Sequence, residues 1–527
     1  MKRNDLFVNA VFFVALFILS TSINIYYGNL GVFPIDTFAF FDTAYSILLN
    51  KHPFKDIWIT TGPFVDYAQA LFFKIFGLSW FSYLIHASFF NFLITITIFF
   101  TLKKLGLDTI YSFLYSLSVA ILCYPVAGTP FAYQHSFILS VISLMLLFIS
   151  IKGKSNFFWF LLPTTMVLAF FSMHVPSVYI NFVIIISAFI YLVFNYSYSK
   201  IISFLLGSIS ILIITILFFI YFEIPFLKFL QQYILFPLSM GEYRVLNPDY
   251  TFSLSANLTF RRIFGHFKFI HIFVFVIIGC LIFIFSKKPN DFKKKEDLII
   301  YSSLIIVTIL LIFHQLITAN QTFIFSIIPI LAGFLHLLVV SFISKKKIYQ
   351  FGILVLVIFI TAKYHIEYNE KRKFMDLQNV NFDEAVSANL IDQKFQDLKW
   401  INPLFPGDPM DEVNLIKETI NKIKIDKRRK MILTPYQFFS VILEEDLNIP
   451  NRWYLNNASH PFVGHKYFDF YKSHFENVIR KNDIQVIYTV TFYGSPEMED
   501  YKMYIDNICL DETKINLISS YYKLRKC

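Results

Sequence analysis

The feature that most constrains this chain is a run of about 20 uncharged, mostly apolar residues that recurs along the sequence. The first run covers residues 6–27 and contains no Asp, Glu, Lys or Arg. At 1.5 Å per residue such a run forms a helix long enough to cross a hydrocarbon core of about 30 Å. The whole chain is only 16% charged, whereas soluble domains carry about 25% charged residues. The sequence therefore predicts a helical protein that spans a membrane several times.

Ten further apolar runs follow the first one. They cover approximately residues 81–102, 109–123, 136–151, 157–171, 178–194, 201–222, 269–285, 298–316, 323–343 and 349–364. With the first run they predict about 11 membrane spans. Short basic loops usually face the cytoplasm, and alternate loops here are basic, with Lys103 and Lys104 in one and Lys152 and Lys154 in another. This pattern places the N-terminus inside and residues 371–527 outside, as expected of a protein of a bacterial inner or plasma membrane.

The formal net charge of +10 does not indicate a nucleic-acid partner. Its lysines are concentrated in short clusters between apolar runs, such as Lys345, Lys346 and Lys347. Clusters in these positions are typical of cytoplasmic loops and not of a groove that follows a phosphate backbone. Membrane lipid is therefore the partner that the charge pattern indicates.

The composition divides the chain into two parts near residue 371. Residues 1–370 form the predicted membrane domain, with a long first outer loop at residues 28–80, and residues 371–527 lack any run long enough to span. In the second part helix-like residues 413–423, 436–443 and 467–480 alternate with strand-like residues 431–433, 453–455, 486–490 and 521–524. Alternation of this kind predicts a small soluble α/β domain, mainly α overall. No Gly-rich nucleotide fingerprint is present, so no nucleotide cofactor is expected.

The first loop contains four of the few carboxylates in the apolar part of the chain, Asp36, Asp42, Asp56 and Asp66. Asp36 follows the first run directly, so it lies where the chain leaves the lipid. An Asp after a proline and before an apolar stretch is often a helix N-cap. The alternative is a general base at the membrane boundary, which would take a proton from an acceptor hydroxyl.

A surface helix is predicted after Asp36. Phe41, Ala44, Tyr45 and Leu48 recur at helical spacing, and we expect their face to lie in the lipid. This helix ends in LLNKHPFKD, and TTGPFVDYAQALFFKIFG then leads into the second run.

This order of elements resembles the first extracytoplasmic loop of GT-C-type glycosyltransferases, the superfamily of protein O-mannosyltransferases and lipid A aminoarabinose transferases. The resemblance implies a GT-C-type membrane domain and the transfer of a sugar, with inversion, from a polyprenyl-phosphate carrier to an acceptor on the outer face. It also implies that Asp36 acts as the base or positions the acceptor, and that Asp56 and the Gly62–Pro63 turn shape the same site. Many relatives have two adjacent acids at the first position, whereas Thr37 follows Asp36 here.

A departing phosphate needs cationic or N–H partners, and few candidates lie on the outer side. The predicted substrate-binding residues are Arg244, His135, His174, Asn320 and Gln321, the last two beside His314 and Gln315 near the outer end of a span. Polar groups within a membrane are costly, which is why they are candidates for lining a pocket. Each has a simpler alternative, since histidines at helix ends form structural hydrogen bonds and surface arginines bind lipid head groups.

Two loop carboxylates would suit a hard divalent cation, but no DxD or HExxH spacing is present, so metal binding stays open.

The rival function is a non-enzymatic lipid or polysaccharide transporter or flippase, which would carry charged or Gly/Pro-broken helices near the middle of the membrane. The middle regions of the runs are almost free of charge, which favours a site at the boundary. A membrane scaffold is a further alternative.

Cys509 and Cys527 share the tail and would be able to pair outside the cytoplasm.

Overall fold

The computed structural model describes residues 3–527 except residues 124–127, 247–257, 288–294, 319–323, 344–345, 371–376, 379, 456–458, 492–495 and 507, and except the side chains of residues 3–7, 244, 245, 287 and 369. Asn320 and Gln321 therefore lie outside the described residues, as does the side chain of Arg244.

Nine of the described helices are long and apolar enough to cross a membrane: Val8–Gly28, Trp80–Lys104, Ala132–Lys152, His174–Phe194, Tyr198–Tyr221, Lys268–Ser286, Lys295–Ile317, Ile324–Ile343 and Lys347–Tyr368. Two apolar helices are shorter, Thr109–Leu122 and Phe157–Ser172. Each of the eleven predicted runs thus forms a helix, and the chain is an integral membrane protein. The number of 11 spans stays a prediction, because the two shorter helices do not reach the full length.

Helix Ala132–Lys152 forms the centre of the membrane domain. Its most apolar stretch is completely buried, whereas helix Tyr198–Tyr221 lies at the edge with 11% of that stretch buried. Small hydroxyl side chains suit the central position, because Ser143 and Ser150 donate to carbonyls of their own helix, those of Leu139 at 2.8 Å and Leu146 at 2.7 Å. A small residue whose hydroxyl is satisfied within its own helix lets neighbouring helices approach closely.

Short elements connect the long helices. The first loop, residues 29–79, contains helices Pro34–Thr37, Phe41–Leu48 and Phe64–Phe76. After helix Tyr198–Tyr221 come helix Phe226–Phe229, the π-helical turn Leu230–Leu235 and helix Phe236–Leu246, and the π-helical turn Arg261–His266 precedes the next span.

The C-terminal domain, residues 377–527, is an α/β unit. Its helices are Pro409–Ile425, Phe439–Leu443, Phe468–Lys481 and Glu499–Lys502, and its strands are β1 Val386–Ser387, β2 Lys399–Trp400, β3 Lys430–Leu433, β4 Val486–Val490, β5 Ile508–Lys514 and β6 Ser519–Lys526. Strands β1 and β2 pair with each other, and the main sheet has the order β3-β4-β6-β5. β3 and β4 are parallel, and β6 is antiparallel to both β4 and β5. The predicted fold class, a helical membrane domain with a small C-terminal α/β domain, is confirmed.

The C-terminal domain packs directly on the first loop through backbone hydrogen bonds. Gly31 N–H donates to the carbonyl of Lys399 at 3.0 Å, and Trp58 N–H donates to that of Pro450 at 2.7 Å. The two regions therefore lie on the same side of the membrane. The strand predicted at residues 453–455 is wrong, since these three residues form no strand and the nearest pairing is an isolated bridge between Asn451 and Trp58.

The position predicted for the aromatic face of helix Phe41–Leu48 is also wrong. Phe41 is completely buried, and its ring lies 5.2 Å from Phe73, 5.1 Å from Tyr83 and 6.0 Å from Phe395. Because the C-terminal domain covers the loop, this face packs into protein and not into lipid.

Candidate active site

Asp36 lies on a short turn that three parts of the chain hold in place. It is half-buried and is the third residue of helix Pro34–Thr37, just after the first span. The Phe33 N–H donates to Thr37 Oγ1 at 2.8 Å, and Trp453 Nε1 of the C-terminal domain donates to the carbonyl of Ile35 at 3.0 Å. The N-cap of the following helix is Phe40 and not Asp36. The carboxylate is therefore carried on a fixed backbone at the place where the first span, the loop and the C-terminal domain meet.

Tyr83 of the second span completes this arrangement. Its hydroxyl is buried and accepts a hydrogen bond from Phe40 N–H at 3.2 Å. The hydroxyl lies within electrostatic reach of Asp66, Arg452 and Asp36. The first loop, the second span and the C-terminal domain thus bring two acids and one cation close to a single phenol.

Arg452 is the cation of this region, and the sequence analysis missed it. Its guanidinium donates to Asp66 and to Thr61 Oγ1 and lies 4.5 Å from the centre of the Phe40 ring. Thr43 Oγ1 donates to the other oxygen of Asp66 at 2.6 Å. Burial raises the pKa of Asp66, and the adjacent guanidinium opposes that shift. The Nε atom of Arg452 has no hydrogen-bond partner among the described residues, and the whole side chain is buried without accessible surface.

Asp42 has a structural role where the first loop packs on the C-terminal domain. It is completely buried, and its carboxylate accepts from Ser440 N–H at 3.1 Å and Val441 N–H at 3.0 Å. These are the first backbone donors of helix Phe439–Leu443, so Asp42 caps a helix that lies about 400 residues away in the chain. Burial raises its pKa to about 7, although the two backbone N–H groups lower it.

Asp56 connects the first loop to the C-terminal domain. One carboxylate oxygen accepts from Lys481 at 2.7 Å and the other from His52 N–H at 3.0 Å. Burial alone would raise the pKa of Asp56, but Lys481, the His52 N–H and Lys55 together hold it below its ordinary value. Asp56 is therefore ionised and engaged in an ion pair, and its predicted catalytic role stays a prediction.

His135 belongs to a buried hydrogen-bonded chain. Its Nδ1 lies 2.9 Å from the carbonyl of Phe131, its Nε2 lies 3.1 Å from His86 Nε2, and His86 Nδ1 lies 2.9 Å from the Gln69 side-chain oxygen. The Gln69 amide nitrogen is buried and has no hydrogen-bond partner in the part of the chain that the structure describes. If that amide is turned so that its nitrogen faces His86, every contact pairs a donor with an acceptor while both imidazoles are neutral. The chain fastens helix Phe64–Phe76 of the first loop to two spans.

His174 and His314 form a second buried polar pair near the ends of their spans. The two rings lie within electrostatic reach of each other, and their neighbours are Tyr233 at 5.1 Å from His174 and Tyr133 at 5.5 Å from His314. Nδ1 of His174 and Nε2 of His314 have no hydrogen-bond partner among the described residues. Since buried polar atoms are normally paired, these two nitrogens suit contact with a polar ligand.

The side chains of three further predicted residues, Arg244, Asn320 and Gln321, lie outside the described residues. The backbone of Arg244 lies in helix Phe236–Leu246, with its side chain outside the described residues, and Asn320 and Gln321 follow the end of helix Lys295–Ile317 outside them as well. Within the described residues, no group of three or more His, Cys, Asp or Glu side chains is placed to hold a metal ion.

Among the solved structures similar to this chain are two of one protein. ArnT from Cupriavidus metallidurans bound to undecaprenyl phosphate is 11% identical, with 97% of each chain covered and a TM-score of 0.49. The same protein in the apo state is 10% identical, with 97% of each chain covered and a TM-score of 0.48. No protein-family model and no curated protein matches the sequence.

Proposed function

We propose that this chain is an integral membrane glycosyltransferase that transfers a sugar from a polyprenyl-phosphate carrier to an acceptor on the outer face of the membrane, with inversion. The observation that carries the proposal is the placement of Asp36. It is a half-buried carboxylate on a fixed turn at the end of the first span, beneath the C-terminal domain. We propose that the acceptor reaches this carboxylate from the water and that the carrier reaches it from the lipid.

Asp36 is the proposed general base. As the acceptor hydroxyl attacks the anomeric carbon, Asp36 takes its proton, the bond from that carbon to the phosphate oxygen breaks, and the phosphate leaves with the electron pair. Attack from the face opposite the phosphate inverts the anomeric centre. A positioned base typically contributes a factor of about 10²–10⁴ to the rate.

The departing phosphate gathers negative charge and needs fixed donors. Arg244 is the proposed cation for this phosphate, and Arg452 holds the loop that carries Asp36 through its buried ion pair with Asp66. We propose that His174 binds the substrate through its unpaired nitrogen, and that Asn320 and Gln321 line the pocket beside it.

Asp56 and His135 are proposed to position the site. Asp56 fixes the first loop to Lys481 of the C-terminal domain, and His135 fixes helix Phe64–Phe76 through His86 and Gln69. Both contacts hold the loop that carries Asp36.

The test is sugar transfer by reconstituted protein from labelled polyprenyl-phosphate-linked sugars. We expect Asp36→Asn to lower kcat by at least about 100-fold. Asp42→Asn is the matched control, because it makes the same change of side chain at another carboxylate of the first loop and leaves Asp36 untouched. Equal rates for Asp36→Asn and the wild-type protein would remove Asp36 from the mechanism, and no transfer by the wild-type protein from any such donor would refute the function.

A further inference from the structure

An apolar groove opens on the lipid-facing surface between helices Phe157–Ser172 and Tyr198–Tyr221. It has a volume of about 140 Å³. Its lining includes Pro63, Phe64, Tyr67, Leu168, Ile214 and Phe218. Helix Tyr198–Tyr221 lies at the edge of the membrane domain, and Ile214 is 59% exposed. The groove is therefore open to the acyl region of a bilayer.

The groove results from two helices that touch at one end and separate at the other. At Gly207 an added Cβ would lie 2.1 Å from the carbonyl oxygen of Phe160, so the helices are in contact there. Further along, Leu168 and Phe218 face each other across the groove together with side chains of the first loop. From Ile211 to Phe219 the groove follows helix Tyr198–Tyr221 for about 12 Å at 1.5 Å per residue, close to the thickness of one leaflet, about 15 Å.

Cationic side chains lie at the loop end of the groove. Phe222 connects the two regions, because its ring packs 4.9 Å from Phe218 and its carbonyl accepts from Lys55 Nζ at 3.4 Å. Lys228 Nζ donates to the carbonyl of Lys55 at 3.3 Å. His52 lies beside them and contacts the groove residue Tyr67 through a hydrogen bond of 3.0 Å.

The charges at this end do not balance. Lys55 pairs with Glu223 and Lys481 pairs with Asp56, each within 2.8 Å. Lys228 is half-buried, and no carboxylate in the described part of the chain lies within ion-pair distance of it. Burial lowers the pKa of Lys228; the charge of Asp56 opposes that shift, and the charges of Lys481 and Lys55 add to it. The group of three lysines and two acids thus has a net charge of +1, which one phosphodiester anion would neutralise.

We propose that this groove binds an anionic glycerophospholipid of the surrounding leaflet, with one acyl chain in the groove and the phosphodiester on Lys228. The length of the apolar groove matches an acyl chain that stays within one leaflet. The lysines and acids at the loop end of the groove need one more negative charge for neutrality. This site is additional to the proposed sugar-transfer site and does not depend on it. A bound lipid would connect the first loop, through Lys55, to helix Tyr198–Tyr221.

The test measures lipid binding without any transfer reaction. Purified protein in phosphatidylcholine nanodiscs is titrated with spin-labelled phosphatidylglycerol or spin-labelled phosphatidylcholine, and the immobilised fraction is recorded. We expect the wild-type protein to immobilise phosphatidylglycerol preferentially. Lys228→Gln should weaken that binding about fivefold, because one lysine near the surface contributes about this much to the binding of an anionic lipid. Ile214→Trp should weaken it by filling the groove.

Two matched controls keep the test specific. Lys268→Gln removes an exposed lysine from the start of a different span, and Ile213→Trp enlarges an exposed residue that does not line the groove. Both should bind as the wild-type protein does. Equal immobilisation of the two lipids, or unchanged binding by Lys228→Gln, would overturn the proposal. If unlabelled polyprenyl phosphate displaces the label more readily than unlabelled phosphatidylglycerol does, the groove belongs to the carrier and the proposal is also overturned.

Discussion

Arg452 of the C-terminal domain and Asp66 of the first loop form an ion pair in which neither side chain has any accessible surface. Removing an ion from water costs several kcal/mol, so each group depends on the other and on the threonines that complete its hydrogen bonds. The backbone beside Arg452 is held as well, since its N–H donates to the carbonyl of Trp58 at 3.2 Å. This pair therefore couples the folding of the loop that carries Asp36 to the docking of the C-terminal domain.

Removing one partner of this pair should be strongly destabilising. Arg452→Met leaves the Asp66 carboxylate buried without a cation, and we expect the free energy of unfolding to fall by about 3–5 kcal/mol. The measurement is chemical unfolding of the purified protein in detergent. Lys472→Met, which breaks an exposed pair with Asp506, should cost no more than about 1 kcal/mol.

The double variant Arg452→Met/Asp66→Leu gives a further check of this interpretation. It removes both charges, so it should be more stable than Arg452→Met alone. An Arg452→Met protein as stable as the wild type would show that the buried pair does not hold the two regions together.

Asp42 should make stability depend on pH near neutrality. Burial raises its pKa from 3.8 to about 7 in the folded state, so the folded protein binds a proton that the unfolded chain has released. The unfolding free energy should therefore fall as pH rises from about 4 to 7 and then level off, by an amount on the order of 4 kcal/mol. Unfolding midpoints measured across this range test the expectation.

Asp42→Asn isolates this effect. Asn has no titratable group, so the variant should lack this pH-dependent fall in stability, although its single side-chain oxygen accepts from only one of the two N–H groups of Ser440 and Val441. An identical pH profile for the two proteins would show that Asp42 does not titrate in this range.

The membrane helices could be predicted from the sequence because lipid forces every apolar run to satisfy its own backbone as a helix. The position of Asp36 followed from the same reasoning, since it is the first acid after the first run. In the C-terminal domain the apolar strands β3 and β4 were predicted, but β5, Ile508–Lys514, was missed because it is half-polar and lies at a sheet edge.

Contacts between distant parts of the chain could not be predicted. Arg452 and Asp66 are 386 residues apart, and nothing in the sequence around Arg452 distinguishes it from a solvated arginine. The lipid-facing prediction for Phe41 failed for the same reason. An aromatic face that packs against another domain has the same spacing as one that packs against lipid.

Gly62 should tolerate no side chain. An added Cβ would lie 1.8 Å from the carbonyl oxygen of Phe171, and Gly62 N–H donates to the carbonyl of Ser172 at 3.1 Å. Gly62→Ala must therefore push the first loop away from helix Phe157–Ser172, and we expect a large loss of thermal stability together with faster proteolysis of the loop. Gly352→Ala, where an added Cβ meets nothing within 4 Å, should instead be neutral or stabilising by up to about 1 kcal/mol. Equal stability of the two variants would contradict the close approach.

The disulfide of the C-terminal domain provides a test of its location. Cys509 and Cys527 are bonded, with Cα atoms 5.1 Å apart, and such bonds persist in oxidising compartments. In denatured extracts from cells whose free thiols were first blocked, a maleimide reagent should label these two cysteines only after reduction. Loss of the bond in Cys527→Ser should cost about 3 kcal/mol for a closed loop of this size. If neither cysteine is labelled even after reduction, both thiols were free and were blocked in the cells, which would place the domain on the cytoplasmic side.

The ion pair between Asp56 and Lys481 makes it possible to test whether Asp56 only positions the first loop or takes part directly in the chemistry. Because the pKa of Asp56 is held below its ordinary value, the stability from this contact is present above about pH 4 and is lost as pH falls further. Lys481 is 56% exposed, so the contact should contribute about 1 kcal/mol or less.

A double-mutant cycle in sugar transfer then distinguishes the two roles. If Asp56 only positions the loop, Asp56→Asn and Lys481→Met should lower kcat by similar factors, and the double variant should lose no more than either one. If Asp56 touches the reacting groups, Asp56→Asn alone should lose about 100-fold or more while Lys481→Met stays close to wild type. We expect the first pattern, because both oxygens of Asp56 are already engaged, one by Lys481 and one by the His52 N–H.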